Sequence, residues 1–331
     1  MTTRRTFLIA VGAGAWAAPF ASFAQQQGKV RRIGFLAVRF RSTPANPEVY
    51  YDAFVQGMRD LGYVEGKNLV IEWRFADGKL ERVPDFAAEI VRAKVEVIVT
   101  HGTQATQVAQ RATSTIPIVT AAVGDPVGSG FAASLARPGG NITGLSTITT
   151  DVTGKQIEFL KAMMPKLSRL AFLVNPTNPG SADYVKNAQG ISRQLGLKIQ
   201  VQEARDAGEI ERGFAAMTQA RAEALIVSAD AFLLGQRRQL ADLTRKHRLP
   251  SMFYYREDAQ AGGLISYGQN LAEHYRRAAT FVDKILKGAN PGELPFEQPT
   301  KIHLAINLKT AKALGLTISK EFLFRADELF E

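Results

Sequence analysis

Residues 95–123, VEVIVTHGTQATQVAQRATSTIPIVTAAV, place a polar amphipathic segment between two short apolar runs. The runs at 95–100 and 116–123 are rich in Val and Ile, a composition that predicts buried strands. Thr103 opens a predicted helix that extends to about Ala112, and Pro117 suits the first residue of a strand. A strand, a helix and a second strand with short connections indicate a parallel β-α-β unit.

The same alternation continues along the chain on both sides of this unit. Further strands are predicted at 33–38, 68–75, 169–175, 197–204, 224–230, 249–255 and 262–268, with helices at 50–61, 80–93, 154–163, 182–195 and 209–220 and from about 231 to 247. Each half therefore predicts an open parallel sheet with helices on both faces. The predicted fold class is α/β, with two doubly wound Rossmann-like lobes.

The C-terminal part predicts how the two lobes are joined. A long helix is expected at 271–286, then a loop, then a strand and a helix at 301–316. If the second sheet ends near Tyr267, this tail has to return to the first lobe and cross again, which predicts a multi-crossing hinge beside a cleft. The first lobe is then 31–147 plus about 269–298, and the second is 148–268 plus about 299–331. A chain of 331 residues also exceeds what one core usually supports.

The first residues predict an export signal rather than a part of the fold. Arg4 and Arg5 precede an apolar Ala/Gly-rich stretch, and Ser22-Phe23-Ala24 provides small residues at a cleavage site. The pair Arg4-Arg5 before Phe7-Leu8 is typical of a twin-arginine signal at 1–24, while the general secretory route stays open. We expect cleavage near Ala24 and a location in the periplasm. An uncleaved anchor is the less favoured alternative, because the stretch is of borderline length.

Composition narrows the classes of partner. The chain has no cysteine, so disulfides, Cys-type structural metal sites and a lipid-bearing cysteine are all excluded. The formal net charge is +10, but the basic residues are scattered at helical spacing. A nucleic-acid surface would need a clustered basic stripe or interleaved aromatic residues, so we expect no nucleic-acid partner. A basic, well-solvated surface on a monomer is the favoured interpretation.

Several long stretches resemble a known family. "GDPVGSGFAASLARPGGNITG", "VNPTNP", "AGGLISYGQNLAEHYRRAATFVDKILKGANPGELPFEQPTK" and "INLKTAKALGL" are similar to the substrate-binding proteins of ABC transporters with the type I periplasmic-binding fold. The likeness covers 33–328, and its characterised relatives include tryptophan- and tyrosine-binding proteins. The resemblance implies a two-lobed receptor that holds a small solute in its cleft and delivers it to a permease and an ATPase.

The candidate ligand contacts are the residues where predicted strands end. In open α/β sheets, ligands bind beyond the carboxyl ends of the strands. The candidates there are Val38, His101, Gly102, Thr103, Asp125, Pro126, Asn175, Asp230, Tyr254 and Tyr267. Gly102 and Thr103 begin a predicted helix, whose N-terminus favours an anion such as a carboxylate. Asp125 and Asp230 can accept from a ligand ammonium, and both are expected at loop ends outside the core. Together they predict an amino acid, aromatic or otherwise apolar, with a sugar or nucleobase-like solute left open.

Each candidate also has an ordinary structural interpretation. Thr103 can be a simple helix cap, and His101 a satisfied loop residue. Asp125 can cap a helix after Pro126, and Asp230 carries the same ambiguity. Asn175 before a proline is a common turn residue.

The glycine-rich segment at 124–144 is not a phosphate loop, because it lacks the Lys-Ser/Thr ending of that motif. It is interpreted as the rim of a pocket. The sequence contains neither H-E-x-x-H nor G-x-S-x-G, and only His101 of its four histidines follows a predicted strand, so we expect no enzyme, no metal and no cofactor. The alternative function is a periplasmic ligand-sensing subunit that presents its bound form to a membrane receptor, because the same fold serves both uses.

Overall fold

The computed structural model describes residues 29–331 apart from 42 and 44–47. The predicted export signal lies outside these residues, so the signal and its cleavage stay predictions. In the part of the chain that is described, no helix is both long and apolar enough to cross a membrane.

The first lobe is built on a five-stranded parallel sheet. Its strands are β1 (Arg31–Ala37), β2 (Leu69–Phe75), β3 (Val97–Thr100), β4 (Ile118–Val123) and β5 (Ile142–Ser146), in the order β2-β1-β3-β4-β5. Every residue of β3, β4 and β5 is buried, as expected for strands covered by helices on both faces. The predicted β-α-β unit is therefore present, with β3 paired directly to β4.

The second lobe has a longer sheet. Its strands are β6 (Arg169–Val174), β7 (Lys198–Glu203), β8 (Ala224–Val227), β9 (Ser251–Phe253), β10 (Ile265–Gln269), β11 (Ile302–Asn307) and β12 (Glu328–Phe330), in the order β12-β11-β10-β9-β8-β6-β7. All neighbouring pairs are parallel except β10 with β11. The antiparallel pair arises because β11 returns from the first lobe.

Helices cover both sheets. They are α1 (Val49–Asp60), α2 (Val83–Arg92), α3 (Thr103–Ala112), α4 (Thr149–Met163), α5 (Ser181–Gln194), α6 (Ala207–Gln219), α7 (Ala231–Gly235), α8 (Arg237–Lys246), α9 (Arg256–Gln260), α10 (Leu271–Leu286), α11 (Leu308–Ala313) and α12 (Lys320–Phe324). Buried side chains of α1 and α10 share one core with β1, while those of α2 and α3 share another. The first sheet is thus covered on both faces, and α10 belongs to it although it follows β10.

The chain crosses between the lobes in three places. It leaves the first lobe between β5 and α4, returns between β10 and α10, and leaves again before β11. The last crossing runs beside the first, because the Ser146 amide donates to the Glu297 carbonyl at 2.9 Å and the Glu297 amide to Gly144 at 3.0 Å. Two doubly wound lobes and a multi-crossing hinge confirm the predicted fold class.

Several predicted elements differ in detail. The strand expected at 224–230 ends at Val227, because Asp230 instead caps α7. The single helix expected as far as His247 is the pair α7 and α8. Helix α4 begins at Thr149 and not at 154, and Gly154 lies inside it, where an added Cβ would sit 2.9 Å from Ile191 Cδ1. That glycine permits close packing of α4 on α5. The short elements α9, α12 and β12 were not predicted.

Candidate functional site

The facing ends of the two lobes are in direct contact. Glu48 of the first lobe pairs with Arg237 of the second at 2.7 Å. The Tyr50 hydroxyl donates to Glu257 at 2.6 Å. The first-lobe core also continues into the second lobe, since it includes the buried residues Ala229, Leu234, Tyr254 and Tyr255. The two lobes are therefore closed on each other, in contact beyond the ends of their strands.

The N-terminus of α3 faces the second lobe and carries no side-chain cap. Gly102 is the N-cap residue, with φ of 85°, and its amide donates to the Ala122 carbonyl at 2.8 Å. A Cβ at this position would lie 3.2 Å from that of Ala231, so glycine suits both the backbone and the space. Among the described residues no side chain caps this helix, and Thr103 is its first residue rather than its cap. The first-turn amides have no intrahelical partner, which makes them donors for an acceptor in the cleft.

Asp230 lies opposite, in a dense set of hydrogen bonds. Its Oδ1 accepts from the amides of Phe232 and Leu233 at 2.9 and 3.0 Å and from Asn175 Nδ2 at 3.2 Å. Its Oδ2 accepts from Asn178 Nδ2 at 3.0 Å. Burial raises the pKa of Asp230, and the four hydrogen bonds oppose that shift by favouring the carboxylate. Asp230 is 4% exposed, so the expectation that it lies outside the core is wrong.

A polar chain joins the two sides. Gln104 Nε2 of α3 donates to Thr177 Oγ1 at 2.7 Å, and that hydroxyl donates to Asn175 Oδ1 at 2.7 Å. Asn175 in turn donates to Asp230. Asn175 is therefore both a turn residue and part of this chain of hydrogen bonds. Side chains alone connect Gln104 of α3 to Asp230.

His101 and Val38 are the two remaining candidates at the strand ends of the first lobe, and both are buried. The His101 ring is 5.4 Å from that of Tyr275, and both residues are buried. Burial lowers the pKa of His101 well below its usual value, and the nearby charges of Arg39 and His274 lower it further. The imidazole is thus neutral near pH 7. Val38 is buried, and its carbonyl accepts from the Gly78 amide at 2.7 Å.

Asp125 and Pro126 lie in the glycine-rich segment but are engaged locally. The exposed Asp125 carboxylate accepts from the amides of Val127 and Gly128 at 3.1 and 2.9 Å. The Pro126 carbonyl accepts from Phe131 at 2.8 Å, which closes a turn. The helix expected after Pro126 is therefore wrong, because residues 126–130 form turns. Asp125 as a ligand contact stays a prediction, but this geometry favours the capping interpretation.

Gly124 lies where the glycine-rich segment meets the second lobe. A Cβ at Gly124 would lie 2.6 Å from the Tyr184 hydroxyl and 3.5 Å from Thr103 Oγ1. Tyr184 belongs to α5 of the second lobe, and its burial raises its pKa to about 12, so its hydroxyl stays protonated. The segment therefore borders the cleft through Gly124, as expected for a rim.

The two predicted tyrosines differ in their surroundings. Tyr254 is buried beside Tyr255, and its hydroxyl donates to Gln269 at 3.3 Å. The Tyr267 ring packs edge-on against Phe159 of α4, 4.8 Å between centroids. Tyr254 thus borders the cleft through the first-lobe core, whereas Tyr267 packs against the cores of both lobes.

Sequence reasoning missed a group of buried polar residues at the cleft. Arg39, Tyr51 and Tyr275 are almost fully buried, and each has a side-chain nitrogen or oxygen with no hydrogen-bond partner in the described part of the chain. An unsatisfied buried donor costs about 1–3 kcal/mol. The sequence did offer one sign of Arg39, a charged residue two positions after the buried strand β1. It offered no sign of Tyr51 and Tyr275, because both lie on helices and not at the end of a strand.

Across the described ranges, no cluster of three or more His, Asp or Glu side chains could hold a metal ion. The chemistry that the cleft offers is hydrogen bonding and charge pairing with a small polar molecule.

Comparison with known proteins identifies the family. The sequence profile described as "ABC transporter substrate binding protein" matches residues 39–330. A tyrosine-binding protein of Clostridioides difficile is 23% identical over 263 residues, 80% of this chain and 75% of that protein. A conserved domain protein from Vibrio cholerae has a TM-score of 0.84 at 24% identity, covering 91% of this chain and all of the other. A Streptococcus pneumoniae ABC domain in complex with L-Trp has a TM-score of 0.82 at 24% identity, covering 91% and 99%. The resemblance seen in the sequence is confirmed, and the chain belongs to the family of ABC transporter substrate-binding proteins.

Proposed function

We propose that this protein is exported, captures a small molecule, an amino acid that is aromatic or otherwise apolar, between its lobes, and delivers it to the permease and ATPase of an ABC importer. The observation that carries the proposal is the uncapped N-terminus of α3, which meets the second lobe at Ala231, next to the buried carboxylate of Asp230. Donors on one side and an acceptor on the other match the two charged ends of an amino acid.

The expected pose follows from these groups. The ligand carboxylate lies against the first-turn amides of α3, where the helix dipole favours an anion. The ligand ammonium points to Asp230 Oδ2, which accepts one hydrogen bond while Oδ1 accepts three. The neutral His101 and the rings of Tyr254 and Tyr275 provide apolar surface for the ligand's body. The tyrosine- and tryptophan-binding relatives support the same ligand class.

The proposal is tested by ligand screening on the protein purified from its periplasmic fraction. Amino acids, sugars and aromatic acids are compared by thermal shift, and every compound that stabilises is then titrated by calorimetry. A ligand at a hundred times its Kd adds about 2.7 kcal/mol to the free energy of unfolding. Stabilisation by amino acids is expected; stabilisation by sugars alone would reject the proposed ligand class and leave a binding protein of another specificity.

The importer role needs a second measurement. Cells lacking this protein should lose uptake of the radiolabelled ligand found in the screen, and plasmid-borne protein should restore it. Unchanged uptake together with a lost transcriptional response to that ligand would point to the sensing alternative.

A further inference from the structure

Arg39 carries more hydrogen-bonding capacity than its surroundings use. It follows β1 at the carboxyl edge of the first sheet and is 1% exposed. Its Nη2 donates to Glu48, but Nε and Nη1 have no partner among the residues that the structure describes. A buried guanidinium with two unpartnered nitrogens is the usual protein group for a carboxylate or another oxygen anion.

Two tyrosine hydroxyls beside Arg39 are in the same condition. The hydroxyls of Tyr51 and Tyr275 are buried and lack a partner in the described ranges. Their rings are 5.8 Å apart, and Tyr275 also lies 5.6 Å from Tyr50, over whose ring the Arg39 guanidinium sits at 4.7 Å. We call Arg39, Tyr51 and Tyr275 the Arg39 cluster. It presents donors from three elements: the end of β1, α1 and α10.

The charged groups around the Arg39 cluster are paired with one another. Glu48 is shared between Arg39 and Arg237, so one carboxylate faces two guanidinium groups. Glu257 is engaged with the Tyr50 hydroxyl. Burial, reinforced by Glu257, raises the pKa of Asp258 to about 8, so this carboxyl is mostly neutral at pH 7. Arg39 and Arg237 are thus matched by Glu48 and Glu257, and the free donors of the cluster, rather than a net charge, call for an acceptor.

The Arg39 cluster adjoins the groups proposed to bind the two charged ends of the ligand, and the Tyr275 ring belongs both to the cluster and to the surface proposed for the ligand's body. His101, directly before Gly102 at the start of α3, contacts the Tyr275 ring at 5.4 Å. Since β1 and β3 are neighbours in the sheet, their carboxyl ends place Arg39 and His101 side by side. A ligand held by α3 and Asp230 can therefore extend toward the cluster.

We infer that Arg39, Tyr51 and Tyr275 form a second subsite, which binds an oxygen acceptor on the side chain of the bound solute. This inference rests on the proposed capture of an amino acid, and it narrows the ligand class. The preferred amino acid carries a hydroxyl or carboxylate at the far end of its side chain, so an aromatic ligand with such a group fits the cleft and a purely apolar one fits it less well.

Calorimetry with matched ligand pairs tests the inference. The pairs are L-tyrosine with L-phenylalanine, L-glutamate with L-norvaline, and 4-carboxy-L-phenylalanine with 4-methyl-L-phenylalanine. In at least one pair, the acceptor-bearing member should bind roughly ten- to a hundred-fold more tightly, the range expected for a charge-assisted hydrogen bond. An apolar member that binds as tightly in every pair would overturn the subsite while leaving amino-acid capture intact.

Variants show which residues cause the preference. Tyr51→Phe combined with Tyr275→Phe removes only the two hydroxyls and should bring the ratio within a pair close to one. Arg39→Met should do the same, and the tyrosine double variant decides the matter if Arg39→Met does not fold. Tyr63→Phe is the control, because Tyr63 follows α1 and its hydroxyl donates to Asp283 of α10 rather than lying free in the cluster; its ratio should match wild type. A preference that survives the tyrosine double variant, or the absence of binding by any amino acid, rejects the subsite, and the second result rejects the proposed function with it.

Discussion

Glu48 and Arg237 form a buried ion pair that joins the two lobes, with 2.7 Å between Oε1 and Nη2. Glu48 is 2% exposed and also accepts from Arg39. Because these charges are out of water, removing one of them leaves the others buried and uncompensated. The closed form therefore depends on the complete set of charges.

Glu48→Gln should destabilise the closed protein. Losing the shared carboxylate leaves Arg39 and Arg237 without their common partner, and the free energy of unfolding should fall by about 3–5 kcal/mol. Ligand affinity should fall as well, since less of the protein occupies the closed form. Denaturant unfolding measures the loss of stability. Small-angle scattering measures the loss of the closed form, and the radius of gyration should increase.

Asp60→Asn, which breaks the exposed pair with Arg276, is the control and should cost at most about 1 kcal/mol. A Glu48→Gln protein as stable and compact as wild type would exclude a role in closure.

Asp230→Ala should lower both stability and affinity. The carboxylate caps α7 and is buried, so its loss should cost about 1–3 kcal/mol of folding free energy. Losing the partner of the ligand ammonium should weaken binding roughly ten- to a hundred-fold. Asp206→Ala is the matched control, because Asp206 caps α6 from an exposed position. It should reduce the melting temperature and leave affinity unchanged. Wild-type affinity in Asp230→Ala would remove Asp230 from the ligand contacts.

Asp125→Ala separates the two interpretations of the glycine-rich segment. Its carboxylate caps a turn through the amides of Val127 and Gly128, so the substitution should lower stability by about 1 kcal/mol. Affinity should remain at the wild-type value, as measured by calorimetry beside the melting temperature. A loss of affinity of about tenfold or more would instead support Asp125 as the ligand contact that the sequence suggested.

Asp258→Asn should become more stable relative to wild type as pH rises from 5 to 8. Burial, with a further contribution from Glu257, raises the pKa of Asp258 to about 8, whereas the unfolded chain loses this proton near pH 3.8. Between those values the native state binds the extra proton, so this group makes wild type less stable as pH increases, by at most about 1.4 kcal/mol per pH unit. Asp258→Asn lacks the titration and should gain on wild type from pH 5 to 8 in urea unfolding. His101 and His274 are common to both proteins, so their titration cancels in the comparison. A constant difference across this range would contradict a raised pKa.

The export signal predicts a defined mature end. Mass spectrometry of the protein from the periplasm should find an N-terminus near Gln25, after the small residues Ser22-Phe23-Ala24. Replacing Arg4 and Arg5 by lysine should block export by the twin-arginine route. Unaffected export would indicate the general secretory route, and a full-length form in the cytoplasm would reject the signal.

Local sequence determined much of the fold. The Val/Ile runs and the segment between them predicted β3, α3 and β4, and the bounds of α3 and α10 agree with the structure at both ends. These elements follow from the spacing of apolar residues within short segments, which can be seen in the sequence without knowing the fold. The carboxyl ends of the strands also located the cleft, because parallel strands place them at a single edge of the sheet.

Only the tertiary structure decided what the side chains at those ends do. Asp125 and Asp230 look alike in sequence, yet one caps an exposed turn and the other lies buried among two asparagines. The role proposed for Arg39 depends on its ion pair with Glu48 and on the nearby Tyr275. It also depends on Arg237, which shares Glu48 and lies almost two hundred residues away along the chain. Burial and hydrogen-bond partners depend on which distant segments meet, and no local pattern encodes that meeting. The sequence by itself therefore determined the architecture and the edge where we propose that a ligand binds, while long-range packing selected the groups proposed to recognise it.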